Sequence, residues 1–309
     1  MNSIPSVGVL GGGLIGMSWA SLFLARGLDV VVCDPRLQAE AELHQFATAA
    51  WPHLASLGLT CAETPRKAVF STDIAALSGV GFVQENGPDR IATKQAIIAD
   101  LEQVIAPDAL IASSTSSLKA SDIQAHALHP GRILVGHPMN PPHLVPMVEL
   151  VAGRLTDEAA MQAATEFYRS IDRVPIRVKK EVAGHLANRL TSALYREAVH
   201  IAAEGIADVD SIDKAIAYGP GMRWALMGPH LIYHLGGGAG GYRHYLDHLG
   251  PTQEARWRDL GNPALTDDVR AMLIAGVEAE LAGQDETTLV QRRDDALVEL
   301  AQLKRKHDL

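Results

Sequence analysis

Glycine turns bind phosphates, histidines carry protons, and carboxylates hold histidines in place. In this chain those residue types stand at the ends of short apolar runs. Gly11-Gly12-Gly13-Leu14-Ile15-Gly16 follows Val7–Leu10 and opens a stretch of helical character. This G-x-G-x-x-G pattern suits a dinucleotide. Gly11 permits the tight turn, Gly13 lets the backbone approach a pyrophosphate, and Gly16 lets helix and sheet pack closely. Leu14 and Ile15 begin the helix whose N-terminal N–H groups attract phosphate. Asp34 ends the next strand, eighteen residues past Gly16, where a carboxylate accepts the ribose hydroxyls of NAD. It repels the extra phosphate of NADP, although Arg36 nearby could accept that phosphate. FAD uses the same fingerprint, and an ordinary strand–helix turn is the reading without a ligand.

His137 lies just past the apolar run Ile133–Gly136. Ligands of open α/β sheets sit beyond the carboxyl ends of the strands, and histidine titrates near neutrality, so this is a place for a general base. Glu149 in the next strand-like run could orient the imidazole and stabilise its charged form. Between them, Asn140 and the prolines at 138, 141 and 142 keep the chain extended. Ser113-Ser114-Thr115-Ser116-Ser117 follows another strand at the same edge. Its hydroxyls could bind a substrate oxygen or the nicotinamide ribose, or could serve as turn and cap groups.

Two histidine pairs, His230/His234 and His244/His248, have the i,i+4 spacing that can clamp a metal on a helix. No glutamate lies between the members of either pair, and the expectation is packing or substrate contact, with no metal. Trp224, Tyr233, Tyr242, Tyr245 and Trp257 concentrate in the same region of a chain with 5% aromatic residues. They read as helical core or as a lining for a cationic substrate.

The elements that must position these groups are legible in outline. Val7–Leu10, Val30–Cys33, Ala68–Ser71, Gly81–Gln84, Leu110–Ser113, Ile133–Gly136, Met147–Val151 and Pro175–Val178 read as strands. Ile15–Arg26, Asp89–Val104, Ser121–Ala127 and Asp157–Ile171 read as helices, with Asp89 as the cap of its own. The alternation predicts an α/β fold with a doubly wound, mostly parallel, Rossmann-like sheet. After Lys179 the pattern becomes all-helical, through Ala183–Glu204, Val209–Ala217, Asp267–Ala282 and Gln291–Lys306. Leu186, Leu190, Leu194 and Ile201 fall near one face of the first of these. The expected domains are residues 1–181 and 182–309.

The chain has 309 residues, 47% of them hydrophobic, and a formal net charge of −9. That composition excludes a disordered chain, and the acidity argues against nucleic acid and against an anionic membrane surface. Met1 to Ala25 carries no charged side chain. The glycines in its middle break a membrane helix, so strand, turn and helix are expected there. Two cysteines, Cys33 and Cys61, point away from a disulfide framework and towards a reducing cytoplasm.

In order along the chain, several motifs resemble the L-3-hydroxyacyl-CoA dehydrogenase family. They are the glycine fingerprint, Ser114-Thr115-Ser116-Ser117-Leu118, Gly136-His137-Pro138-Met139-Asn140-Pro141, Val148-Glu149, and Glu181-Val182-Ala183-Gly184-His185-Leu186-Ala187-Asn188-Arg189-Leu190. The resemblance implies NAD as cofactor, a Rossmann-like domain, and a helical domain that mediates homodimerisation. It implies His137 as general base, Glu149 as its orienting partner, and Ser116 and Asn188 as residues that place the substrate oxygen. Asp89 and Lys94 match a Glu/Lys pair at the nicotinamide-side ribose. Ser114 stands where the family usually has an asparagine.

Family members that act on CoA esters carry a lysine-rich helical insertion after the second strand. Here Leu37 to Pro65 contains no lysine or arginine, while Glu40, Glu42 and Glu63 are acidic. That is poor chemistry for a polyphosphate. The stretch from Gly221 to Pro229, with Tyr233-His234-Leu235, resembles the branch that oxidises free 3-hydroxy acids. L-carnitine is the first substrate this implies and L-gulonate the next, with Asn140, Arg223, Trp224 and Tyr233 as further substrate contacts. Arg223 could grip a free carboxylate. The alternatives are 3-hydroxybutyryl-CoA as substrate, or a non-catalytic crystallin-like or NAD-sensing protein.

Overall fold

The computed structural model describes residues 4–309, so the first three residues of the expected 1–181 domain lie outside the described part. One sheet contains β1 (Ser6–Leu10), β2 (Asp29–Cys33), β3 (Val69–Ser71), β4 (Phe82–Glu85), β5 (Leu110–Ser113), β6 (Ile133–Pro138), β7 (Met147–Ala152) and β8 (Val174–Val178). The strand order is β3-β2-β1-β4-β5-β6-β7-β8. Pairing is parallel from β3 through β6, antiparallel between β6 and β7, and parallel again between β7 and β8. Around it lie α1 (Leu14–Ala25), α2 (Ala39–Ser56), α3 (Ile91–Glu102), α4 (Ala120–Ile123) and α5 (Glu158–Ser170). This is the expected Rossmann-like α/β architecture. The central strands β4, β5 and β6 are buried along their whole length, which is why they read as continuous apolar runs rather than alternating ones.

An aromatic layer ties α1 and α5 to the sheet. Trp19 stacks on Phe23 with ring centroids 5.4 Å apart, and Phe82 on β4 stacks on Phe167 at 4.1 Å. From Ser6 onward the uncharged opening becomes a strand, a turn and a buried helix. Among the described residues no helix is long and apolar enough to cross a membrane.

Local details differ from the sequence reading. α2 fills most of the unassigned stretch after β2, and it buries Ala39, Leu43, Ala47, Ala50, Trp51 and Leu54. The helix expected over Ser121–Ala127 is only Ala120–Ile123. Asp89 does not cap its helix: Arg90 occupies the N-cap of α3, without a side-chain cap bond. The Asp89 carboxylate is engaged by hydroxyls from another loop.

No strand follows Val178 among the described residues. The remaining helices are α6 (Ala187–Ala203), α7 (Val209–Tyr218), α8 (Pro220–Trp224), α9 (Pro229–Gly236), α10 (Gly241–Asp259), α11 (Asp267–Glu280) and α12 (Glu286–Lys306). Side-chain caps start three of them: Asp208 accepts from Ser211 N–H, Thr266 from Val269 N–H, and Asp285 from Thr288 N–H, which satisfies N–H groups left without an intrahelical partner. Proline at the first turn of α8 and α9 suits a position that needs no donor. The chain divides into two compact units, one ending at Arg189 and one spanning Leu190–Leu309. The 181/182 boundary expected from sequence falls in the irregular segment between β8 and α6.

Candidate active site

Parallel strands deliver their carboxyl ends to one edge, and the sequence places a chemical group at each. After β1 the backbone turns at Gly11, whose φ of +93° lies in the region that favours glycine. A Cβ at Gly16 would stand 1.8 Å from the Gly11 carbonyl oxygen, so only glycine permits this approach of helix to turn. A Cβ at Gly13 would meet no atom within 4 Å. That open surface lies at the N-cap of α1, where no side-chain cap and no acidic residue compete for the free N–H groups. These features fit a pyrophosphate.

Asp34, beyond β2, accepts the Gly12 N–H through Oδ2 at 2.7 Å and the Arg36 N–H through Oδ1 at 2.9 Å. The Arg36 guanidinium also bonds to Asp34, to Glu42 at 3.0 Å and to the Gly12 carbonyl at 3.1 Å. Asp34 raises the Arg36 pKa first, with Glu42 adding to it. Arg36 is therefore committed to two carboxylates and a backbone carbonyl.

At the end of β4, Glu85 is buried and meets Lys94 from α3, with Lys94 Nζ 2.9 and 2.8 Å from its two oxygens. Lys94 Nζ also donates to the Gly87 carbonyl at 2.9 Å. Ser113 at the end of β5 donates to Glu85 at 2.5 Å. The carboxylate partner of Lys94 is thus Glu85. Asp89 accepts instead from the hydroxyls of Thr115, Ser116 and Ser117, the last two at 3.2 Å. Burial alone would raise the Asp89 pKa. The hydroxyls, together with the charge on Lys94, hold it below the ordinary value.

Ser114 belongs to a polar chain. Tyr168 donates to Gln84 at 2.6 Å, Gln84 Nε2 donates to Ser114 at 2.8 Å, and Ser114 donates to Asn86 at 2.7 Å. Its hydroxyl proton is spent on Asn86, and its oxygen already accepts one bond.

His137 and Glu149 are directly opposed in the antiparallel register of β6 and β7. His137 Nδ1 stands 2.7 Å from Glu149 Oε2. A carboxylate only accepts, so Nδ1 carries a proton, and in a neutral ring Nε2 is then the nitrogen with the free lone pair. The other Glu149 oxygen takes the N–H groups of Leu186 and Ala187 at 2.7 and 2.9 Å. Full burial would raise the Glu149 pKa. The bonds from His137, Ala187 and Leu186 outweigh that and depress it.

A cleft of about 340 Å³ gathers part of this set, with Gly11, Gly13, Gly16, Asp34, Glu85 and Glu149 outside its lining. Ile15, Asp89, Lys94, Ser114, Ser116, His137, Asn140 and Asn188 all line it. Asn188 Nδ2 donates to the Ser116 carbonyl at 3.0 Å. The structure thus brings together the expected base, its partner, the serine loop, the Asp89 and Lys94 positions and the start of α1. Every lining residue belongs to the first unit.

Arg223 and Trp224 on α8 and Tyr233 on α9 belong to the second unit. Arg223 and Trp224 are exposed. Tyr233 stacks on Tyr245 at 4.4 Å, and Tyr245 on Tyr242 at 6.0 Å, so these rings spend faces on one another. His230 bonds to the Tyr242 hydroxyl at 2.9 Å, His234 accepts the Tyr242 N–H at 3.1 Å, and the His244 and His248 rings touch. Among the described residues no three His, Cys, Asp or Glu side chains converge as a metal site would require.

Sequence reasoning missed Glu85, Asn86 and His185. The first two were detectable as polar residues closing the apolar run Phe82–Val83. His185 had no local signal, because its partners come from 48 to 70 residues away in sequence.

Residues 6–182 match the family model described as 3-hydroxyacyl-CoA dehydrogenase, NAD binding domain, and residues 184–264 match the 3-hydroxyacyl-CoA dehydrogenase C-terminal domain. The chain is 41% identical to an L-carnitine dehydrogenase of Bacillus cereus, over 99% of this chain and 94% of that protein. It is 42% identical to an L-carnitine dehydrogenase of Streptomyces coelicolor, over 96% and 94% respectively. Among solved structures, FHMPC 5-dehydrogenase, an NAD+-dependent dismutase, superposes with a TM-score of 0.84 at 28% identity, covering 97% of this chain and 98% of that one.

Proposed function

The chain belongs to the 3-hydroxyacyl-CoA dehydrogenase family, and from that premise we propose that it oxidises the 3-hydroxyl of a small free 3-hydroxy acid with NAD, L-carnitine first and L-gulonate next. The observation that carries this reading is the His137–Glu149 pair, with Nδ1 protonated towards Glu149 and His137 lining the cleft. His137 Nε2 takes the hydroxyl proton as the C3–O bond becomes a carbonyl. Glu149 stabilises the imidazolium that forms. Bound NAD supplies the hydride acceptor for the C3 hydrogen. Ser116 and Asn188 orient the substrate oxygen, and Asn140 lines the same cleft. The Gly11–Gly16 turn would hold the pyrophosphate of NAD, and Asp34 would accept its adenosine ribose hydroxyls.

The free-acid preference rests on α2. Its first turn carries Glu40 and Glu42, and no lysine or arginine lies between Leu37 and Pro65. Names of the L-carnitine dehydrogenase relatives support the same substrate. Residues 182–309 carry Arg223 and Trp224 on α8 and Tyr233 on α9. That helical part is also the proposed dimer-forming part. Leu190 and Leu194, one turn apart on α6, are 71% and 36% exposed, an apolar stripe that a second copy would cover. Cys33 and Cys61 are unpaired, in keeping with a cytoplasmic setting.

Purified protein assayed for NADH formation with L-carnitine, L-gulonate, 3-hydroxybutyrate and 3-hydroxybutyryl-CoA tests the reading. Turnover of L-carnitine is expected. Turnover of the CoA ester alone overturns it.

A further inference from the structure

The segment that follows β8 does more than start a helix. Gly184 and His185 both adopt left-handed backbone, with φ of +75° and +50°. This turn aims the Leu186 and Ala187 N–H groups at Glu149. The His185 side chain goes the other way, to the serine loop. Its Nε2 lies 3.1 Å from the Thr115 carbonyl, so Nε2 carries the proton, because a carbonyl can only accept. Three residues on, Asn188 holds the next carbonyl, that of Ser116, at 3.0 Å. One five-residue segment, 184–188, therefore grips both the partner of the base and the loop that bears Ser116. The His185 ring is 1% exposed and lies 5.3 Å from the His137 ring. Its Nδ1 is buried without a hydrogen-bond partner.

We propose that His185 is a positioning residue for the dehydrogenase reaction, fixing the Ser116 loop against the His137–Glu149 pair through its Nε2–H bond to Thr115. This rests on the function proposed above. A neutral donor is what the place demands. The charged groups facing it are His137 from β6, Glu149 from β7 and Asp89 from the loop after β4. Burial, aided by His137, keeps His185 below the ordinary histidine range, against the weaker pull of the Thr115 bond and the two carboxylates. A second cation beside His137 would oppose the imidazolium that forms on it during turnover.

The test pairs His185→Leu with His185→Gln. Both replacements carry the same left-handed backbone strain, but only glutamine keeps an N–H donor. His185→Leu is expected to lose about 10- to 100-fold in kcat with the Kd for NADH within about twofold of wild type, while His185→Gln recovers at least about a third of the activity. A leucine variant with wild-type kcat, or two variants equally impaired, overturns the proposal. Nitrogen NMR of histidine-labelled protein gives a readout without substrate. The expected signal, assigned by its loss in His185→Gln, is a neutral Nε2–H tautomer at pH 7. A charged ring or an Nδ1–H tautomer overturns the proposal. If wild-type protein turns over no 3-hydroxy acid, the function fails, while the tautomer still decides the placement of His185.

Discussion

His137 and Glu149 sit directly opposite each other where β6 meets β7, at the antiparallel pairing of the described sheet. That register keeps the two side chains on one face, at 2.7 Å, so the orientation of the base is set by strand pairing and needs no mobile loop. The second oxygen of Glu149 faces two N–H groups, and this fixes the chemistry any replacement must reproduce.

Glu149→Gln cannot reproduce it. An amide that turns its oxygen to His137 points its NH2 at the Leu186 and Ala187 N–H groups, and the reverse orientation sets a donor against Nδ1–H. The imidazole is left in the wrong tautomer or unheld. The expected loss in kcat is about 10²- to 10⁴-fold with NADH binding retained. Steady-state kinetics beside NADH fluorescence titration measures both.

Stability should fall in two steps on acidification. His185 has a lowered pKa, so below the ordinary histidine value the unfolded chain takes up a proton that the folded chain refuses, and stability declines. Glu149 and Asp89 are also depressed. Their contribution is complete above the ordinary carboxylate range and is lost as pH falls through their lower folded values. Urea denaturation from pH 8 to pH 3 should show both limbs, and His185→Gln should remove the upper one.

Cofactor choice should turn on Asp34. Arg36 is held by Asp34 and Glu42, so it is not free to pair with the 2′-phosphate of NADP, which the Asp34 carboxylate would repel. Asp34→Asn keeps an acceptor for the Gly12 N–H and releases Arg36. The NADP/NAD ratio of kcat/KM is expected to rise about tenfold or more, ~1.4 kcal/mol. An unchanged ratio would place the discrimination elsewhere.

Gly16→Ala probes the turn itself. The added carbon would lie 1.8 Å from the Gly11 carbonyl oxygen, which is backbone and cannot step aside alone. Loss of NADH affinity and a lower Tm are expected together, with a destabilisation of about 1–3 kcal/mol. Calorimetry with and without NADH separates the two effects.

Strands and the glycine turn were legible because their signals are local. Every strand read from the sequence appears with neither end moved by more than two residues, and Leu110–Ser113 is unmoved, since buried parallel strands are written as apolar runs. α2 was missed although Ala39, Leu43, Ala47, Ala50 and Leu54 carry helical spacing. Small alanines and an internal Pro52 disguise the stripe. The cap assigned to Asp89 failed for a different reason. Its carboxylate found hydroxyls 26 to 28 residues away, and nothing in the local pattern announces such a partner. The pairing of Lys94 with Glu85 and the role of His185 are of the same kind. Leu190 and Leu194 were placed on one face from their spacing, yet they are exposed, because periodicity says that a face is apolar and not what covers it.

The start of α6 has a thermal consequence. Helix ends fray before cores melt, and here the N–H of Ala187, the first residue of that helix, and of Leu186 just before it are donors that hold Glu149 charged. Fraying by a single turn would strand a buried carboxylate and let its histidine swing, while the eight-stranded sheet stayed intact. Heat inactivation should therefore run ahead of the loss of secondary structure, with catalysis acting as the more sensitive thermometer of the two.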